Sequence, residues 1–571
     1  MVKLIPSVKE YIEGEKVTID GYKFTLPTKV DNRIVKACSN IKEGNIDVVV
    51  SVKNDGNNRY DISFTENRFD VVASDDKQVF YAIQTLKQLL ENGYVDAKHI
   101  GDFADYEERG FYLDITRGRI PTIETLKELV DTMAYFKLNM LQLYVEHVFP
   151  FKEYDGIYQK FGYISAEETK ELDDYCYENY IELVPSLSCF GHLYELLQSD
   201  KYKHLCELEN YEPSAIYWCE RMGHHTIDAT NEESINLIKS LIDQYMPLFR
   251  TDKFNICCDE TMDLGYGRNK GKDKGELYFS FVKKIIDYVE SKGKTPMMWG
   301  DIITQHPDFI PKLSENVIFL SWRYDANPDP DMINKIKAAN RIQYVCPGVN
   351  SWTHLMELPQ IAVPNITKML KYGYDAGAKG VLNTCWGDYG HLASIYCCMY
   401  GMIFGAEKSW NVNGSVDSFD SNIDFLYYGY AGASELVKKA AKTNRICYWY
   451  SLLAVYSNEL NGNTRMRVGY EPSPDEYNEA FEECEDIIPY LIATTWKNEK
   501  ARKSLLIATE GIEIMIAMVM SRATGEKLGV NMSDVESWLK EFKEAYMEES
   551  KLGELKEVIH VIYTLAQKYL A

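Results

Sequence analysis

Asp259 and Glu260 stand side by side at the end of the apolar run Phe254-Asn255-Ile256-Cys257-Cys258. A strand that is dry along its length and closes on two acids exposes that end to water. Neighbouring carboxylates push their pKa values apart, so one can hold a proton while the other stays charged. That pairing suits a general acid working beside an anion. Other groups able to do chemistry follow further apolar runs: Asp114 and Arg117, with Arg109 opening the same run, then Glu146-His147, Gly191-His192 and Trp299-Gly300-Asp301. Trp322-Arg323-Tyr324-Asp325, Asn350 with Trp352, and Trp386-Gly387-Asp388-Tyr389 complete the series. Carboxylates set between aromatic walls suit a pyranose, whose C–H faces stack on rings and whose hydroxyls bond to acids and arginine. Each residue also has a plainer reading: a strand-end tryptophan as packing, His192 as a core histidine, Arg109 with Asp114 as a structural ion pair, Glu146 as a solvated loop acid. Two acids closing a dry strand are harder to explain as structure, because burying them uncompensated costs several kcal/mol.

To converge, these groups need elements that bring many strand ends to one place. Eight apolar runs supply them: Phe111–Leu113, Met140–Val145, Ile181–Leu187, Phe254–Cys258, Pro296–Trp299, Val317–Leu320, Ile342–Cys346 and Val381–Thr384. Helical stretches such as Thr122–Phe136 and Tyr278–Lys292 separate most of them. Eight strands alternating with helices over 107–410 predict an α/β protein with a (β/α)8 barrel, whose loops gather at the carboxyl ends of the strands. No G-x-G-x-x-G or phosphate loop follows an early strand, which disfavours a doubly wound sheet. Residues 1–106 read as a small α+β domain of short β-rich runs closed by an amphipathic segment, Val79–Leu90. Residues 411–571 lose strand signals and read as α-helical, over Glu435–Glu459, Pro474–Trp496, Ala501–Ala523 and Ser533–Leu570. This helical domain is expected to pack on the barrel, with a surface on which two copies could pair as a homodimer.

Composition narrows the partners. The 571 residues carry a net charge of −24, which argues against nucleic acid and anionic membrane as partners. No apolar stretch reads as the ~20 residues a membrane span needs, and the first residues lack a signal-peptide pattern, so a cytoplasmic protein is expected. Thirteen cysteines without C-x-x-C spacing are expected to be reduced thiols. His224-His225 is a poor metal candidate, and neither a metal nor another cofactor is expected.

The motifs resemble glycoside hydrolase family 20, the β-N-acetylhexosaminidases. Arg109-Gly110-Phe111-Tyr112-Leu113-Asp114-Ile115-Thr116-Arg117 resembles the family's R-G-x-x-L-D-x-x-R opening, and Lys137–Leu143 its K-L-N-x-L second strand. Gly191-His192 and Asp259-Glu260 resemble the G-H and catalytic D-E motifs, with cysteines where glycines usually precede the acids. Trp386-Gly387-Asp388 resembles W-x-E with Asp for Glu, and Leu143–His147 replaces the usual H-W-H-L-T-D-D stretch. Together with the helical C-terminal domain, this suggests the branch containing bacterial cytosolic exo-N-acetylglucosaminidases. The resemblance implies Glu260 as acid and base, Asp259 orienting a substrate acetamide, and a pocket of Trp299, Trp322 and Trp386. It places Arg109 on the C3 and C4 hydroxyls, whereas spacing favours Arg117, nearer the mouth. Asp388 would bind the C4 and C6 hydroxyls, with Glu146 and Trp352 also lining the site and His192 supporting the acids. The family's acetamide-binding tyrosine has no clear match; Tyr344 sits inside a strand. A non-catalytic amino-sugar-binding protein and a different barrel glycosidase are the alternatives.

Overall fold

The computed structural model describes residues 2–209, 216–223, 225–446, 448–460 and 472–571, so His224 lies outside the described residues. The first layer is a six-stranded mixed sheet of β1 (Glu10–Thr18), β2 (Tyr22–Thr25), β3 (Ile46–Val52), β4 (Tyr60–Phe64), β5 (Arg68–Ala73) and β6 (Tyr94–Asp102). Its order is β1-β6-β4-β5-β3-β2. The alternation that marks a half-buried strand is visible in β3, where Ile46, Val48 and Val50 face the core. The helix Asp76–Asn92 covers that face, capped by Asp75 at its start and by left-handed Gly93 at its end.

Eight parallel strands then close on themselves: β7 (Glu108–Asp114), β8 (Met140–Val145), β9 (Glu182–Leu187), β10 (Lys253–Asn255), β11 (Thr295–Trp299), β12 (Ile318–Trp322), β13 (Ile342–Cys346) and β14 (Gly380–Cys385). Each pairs with the next, and β14 closes on β7 from Gly380↔Glu108 to Cys385↔Leu113. The interior is filled by Tyr112, Met140, Val184, Met297, Leu320, Tyr344 and Leu382, so the barrel is a packed core and not a pore. Gly380 has a packing reason: a Cβ there would lie 2.9 Å from the Tyr344 ring.

One strand departs from the expected pattern. The run Phe254–Cys258 is not a strand throughout, because β10 ends at Asn255. Cys257 and Cys258 take φ of +57° and +64°. The Asn255 side chain accepts the Cys257 N–H at 2.9 Å, while Ile256 N–H and Cys257 C=O still bond to β11. The chain therefore stays against β11 but twists out of extended geometry just before the acids.

Beyond the barrel the described chain is helical. Two expected helices are each divided. The first is Ala433–Ile446 and Trp449–Leu460; the second is Met532–Glu549 and Leu555–Tyr569. The second break is forced by extended Ser550, which bridges to Pro121 at the barrel mouth, and by left-handed Gly553. Glu499–Thr524 is long and apolar enough by composition to cross a membrane, unlike the sequence expectation, but 72% of its apolar window is buried among its neighbours. It is packed as a core helix.

The layers are tied by buried polar groups. Lys137 donates to Tyr60 (2.8 Å) and Asp102 (3.2 Å) of the sheet layer, and Trp410 Nε1 donates to Asp102 (2.9 Å). At the opposite end, Arg119 bonds Glu549 (3.3 Å), Tyr546 donates to Gly118 C=O (2.8 Å), and Trp449 donates to Tyr389 C=O (2.8 Å).

Candidate active site

The carboxyl ends of the strands surround a cavity of about 300 Å3 lined by Arg117, Met222, Asp259, Glu260, Trp299, Trp322, Tyr324, Trp352, Trp386, Asp388 and Tyr389. Its volume suits one sugar ring or a compound of similar size. The left-handed backbone conformations gather round it. Of 14 non-glycine residues with positive φ among the described residues, eight (His192, Cys257, Cys258, Glu260, Asn350, Thr353, Asp388 and His391) lie in the loops of this end. Strain of this kind, about 1–3 kcal/mol per residue, persists where surrounding structure over-determines it, and it concentrates at functional sites.

Asp259 and Glu260 share one wall. His192, buried, places Nε2 3.5 Å from an oxygen of each. The three donor atoms lie within 4.8 Å of one another, so this is also a set that could hold a cation. Burial and the Arg117 charge oppose a proton on His192, but the two acids outweigh them and raise its pKa to about 10. Arg117 Nη2 lies 3.2 Å from His192 Nδ1, and a guanidinium only donates. The geometry therefore fits the tautomer with its proton on Nε2, facing the acids. The ring's charge follows how many protons the acid group holds.

A third carboxyl supports the pair. Asp301, two residues past β11, accepts the Glu260 N–H at 3.0 Å and so fixes the left-handed turn at that residue. Burial, then the Asp259 charge, raises its pKa to about 7.

Arg117 organises the opposite side. Its Nε meets Glu146 at 3.1 Å and its Nη1 meets Asp388 at 3.2 Å, with Asp114 3.7 Å away. Asp114 holds the turn with Oδ1 on the Thr116 and Arg117 amides (2.9 and 3.0 Å) and Oδ2 on the Gly387 amide (3.1 Å). Glu146 is neither solvated nor part of the cavity wall. It is buried behind Arg117 and also accepts from Tyr144 OH at 2.8 Å. Burial would raise its pKa, but the Arg117 charge, with His147, holds it well below the usual carboxylate range. Asp388 goes the other way: burial pushes it up to about 6 against the pull of Arg117.

Arg109 does not reach the site. It opens β7 at the amino end of the barrel, where it donates to the carbonyls of Tyr106 (2.8 Å), Glu107 (3.0 Å) and Lys137 (2.9 Å) and lies over Tyr81 and Trp410. A side chain cannot cross the packed core from there. The arginine at the mouth is Arg117, as spacing favours.

Aromatic rings make the remaining walls. Trp299 and Trp386 meet at 5.6 Å between centroids and pack on Tyr112. Trp322 stacks on Tyr324 (5.0 Å), which meets Trp352 edge-on at 4.9 Å. Tyr324, whose hydroxyl accepts from Trp386 Nε1 at 2.8 Å, carried no role in the sequence reading, although it stands two residues past an expected strand-end tryptophan. Tyr344 is buried inside the barrel. Met222 comes from a long β9–β10 excursion with no pattern pointing to the site. Among the described residues, two polar atoms of these walls have no hydrogen-bond partner: Asp259 Oδ1 and Trp299 Nε1. An unpaired acceptor and an unpaired donor, both buried, make a site shaped for a polar ligand.

The closed parallel barrel thus carries an acid pair and aromatic walls at the carboxyl end of its strands. Residues 106–343 match the family described as glycosyl hydrolase family 20, catalytic domain. Hexosaminidase D of Homo sapiens is 26% identical over 326 residues, covering 51% of this chain and 62% of that protein. A β-hexosaminidase of Porphyromonas gingivalis is 24% identical over 317 residues, covering 49% of this chain and 39% of its own length. In three dimensions the chitobiase of Flavobacterium johnsoniae matches 98% of this chain and 99% of its own, at a TM-score of 0.61 and 18% identity. The β-N-acetylhexosaminidase of Bacteroides fragilis matches 74% and 95%, at 0.58 and 18%. These two share the fold.

Proposed function

We propose that the chain is an exo-acting, retaining β-N-acetylhexosaminidase that removes terminal β-linked N-acetylglucosamine, or its C4 epimer, with the substrate's own acetamide as nucleophile. The observation that carries this is the shared wall: His192 Nε2 is 3.5 Å from an oxygen of each acid and those oxygens lie within 4.8 Å of one another, which puts the two acids side by side and not across a sugar ring. A protein nucleophile and an acid on opposite faces of the ring are therefore not supplied by this pair. In the proposed sequence the acetamide oxygen attacks C1 as Glu260 gives its proton to the leaving oxygen. The unpaired Asp259 Oδ1 takes the acetamide N–H and offsets the positive charge of the oxazolinium ion. Glu260, now a carboxylate, removes a proton from water as that water attacks C1, which restores the acetamide and keeps the β configuration. Arg117 and Asp388 face the sugar hydroxyls, and Trp299, Trp322, Trp352 and Trp386 enclose the ring. Buried cysteines such as Cys38, Cys176 and Cys346 are free thiols, which supports a reducing, cytoplasmic setting.

The test is release of 4-nitrophenol from the β-N-acetylglucosaminide compared with the β-glucoside. Turnover of the first alone is the expected result. Equal turnover of both would remove the acetamide from the mechanism, and turnover of neither would return the barrel to a sugar-binding role.

A further inference from the structure

The mouth holds a second cavity, of about 470 Å3, which shares Glu260 and Trp322 with the first but not Asp259. A general acid stands between the sugar it leaves on the enzyme and the group it releases. With the sugar against Asp259, the leaving group passes Glu260 into this second space.

Its charges are unlike those of the chain as a whole. Although the net charge is −24, the walls include Lys274, Arg323 and Lys335. Lys335 is neutralised by Asp331 at 2.7 Å. Among the described residues Lys274 has no carboxylate partner; its ammonium rests 3.3 Å from the centroid of the exposed Tyr266 ring. Arg323 donates one Nη1 bond, at 3.2 Å, to the carbonyl of Trp322. The remaining acids of the cavity are engaged: Glu260 in the chemistry and Asp301 on the Glu260 amide. Among the described residues neither Lys274 nor Arg323 forms an ion pair, both line this space, and one is a guanidinium, whose planar fork matches carboxylate and phosphate oxygens.

We propose that this second cavity is the leaving-group subsite and that it selects an aglycone carrying a negative charge, a carboxylate or a phosphate monoester, through Arg323 and Lys274. The proposal rests on the reading of Glu260 as the acid. It adds a substrate class to that reading: the bond cleaved joins an N-acetylhexosamine to an acidic sugar.

The test uses the full chain and three disaccharides with the same non-reducing β-1,4-N-acetylglucosamine. One has N-acetylglucosamine as aglycone, one has the same aglycone with a lactyl ether carboxylate on O3, and one has it with a phosphate on O6. One or both charged compounds should show kcat/KM about fivefold to tenfold above the neutral one, since two partly exposed charge contacts are worth about that much. Which one gains distinguishes carboxylate from phosphate. The preference should shrink as salt is raised from 20 to 500 mM. The charged-to-neutral ratio should fall towards one in Lys274→Gln, Arg323→Gln and the double variant. Equal or faster cleavage of the neutral disaccharide by the parent overturns the proposal, as does a preference that salt and the variants leave unchanged. If no disaccharide and no 4-nitrophenyl β-N-acetylglucosaminide is cleaved, the hexosaminidase reading falls and this inference with it. Cleavage of the nitrophenyl compound without the charge preference overturns only the inference.

Discussion

At the residue scale the site is a set of acids held together through the Arg117 cation and the His192 ring. Arg117 touches Glu146, Asp388 and His192 and is 4% exposed, so its loss strands buried acids without compensation. Arg117→Gln should lower kcat/KM by about 100-fold or more and raise the midpoint of no unfolding curve. Arg109→Gln should act differently, lowering thermal stability while kcat/KM per folded molecule stays near the parent's. A large kinetic loss in Arg109→Gln with normal stability would contradict the placement of Arg109 at the far end of the barrel. Glu260→Gln should reduce kcat on unactivated glycosides by about 10^2- to 10^4-fold, and by much less on a nitrophenyl leaving group that needs no proton. A uniform loss on both substrates would assign Glu260 a binding role. Asp301 supplies the pH dependence. Its folded pKa of about 7 exceeds the value near 4 expected when unfolded, so the folded chain binds that proton more tightly. The stabilisation is complete below about pH 4 and is lost as pH rises through 7. Asp301→Asn should therefore show a smaller fall in Tm between pH 5 and 8 than the parent, and parallel curves would contradict the raised pKa.

At the element scale the decisive piece is the link between β10 and the acids. Cys257 and Cys258 occupy left-handed backbone, which costs a residue with a Cβ about 1–2 kcal/mol and glycine almost nothing. The glycines usual before the acid pair in the resembling family have a backbone reason here, and cysteine, small and buried, takes the position under strain. Cys258→Gly should consequently be more stable than Cys258→Ala by about 1 kcal/mol in denaturant unfolding, the reverse of the order in a helix. An alanine variant equal to or above the glycine variant would mean that the φ of this residue is not positive in solution. The length and period of the other strands were readable: Met140–Val145 and Ile342–Cys346 are strands with the boundaries that their apolar runs suggest. The last strand turn before the acids was not, because left-handed backbone leaves no mark on hydrophobic periodicity.

At the scale of the whole molecule the helical region braces the mouth. Arg221 and Trp218, from the β9–β10 excursion, bond the buried carboxylate of Glu554, and Arg221 also donates to the Asp388 carbonyl at 2.6 Å. Glu549 bonds Ser394 (2.8 Å) and Arg119 (3.3 Å). These contacts join the last helices to two loops of the site, so barrel and helical region should unfold together. Glu554→Ala leaves Arg221 buried without its counter-charge and should lower stability by about 3 kcal/mol or more, within one unfolding transition followed by both tryptophan fluorescence and circular dichroism. Two separated transitions would show that the helical region is an independent appendage.

By itself the sequence determined the barrel, the acid pair at the carboxyl end of its fourth strand and the tryptophans that ring it. Strand period, apolar run length and residue type are local properties and survive in one dimension. Tertiary structure decided which groups share a space. It set Arg117, not Arg109, at the mouth, because the two lie at opposite ends of one strand. It buried Glu146 and His192 behind the wall as supports, and brought Asp301 and Tyr324 to it. It broke the last helical stretch so that Glu554 reaches Arg221, 333 residues away in the chain. Those placements depend on strand direction, barrel closure and long-range packing, which residue spacing does not encode.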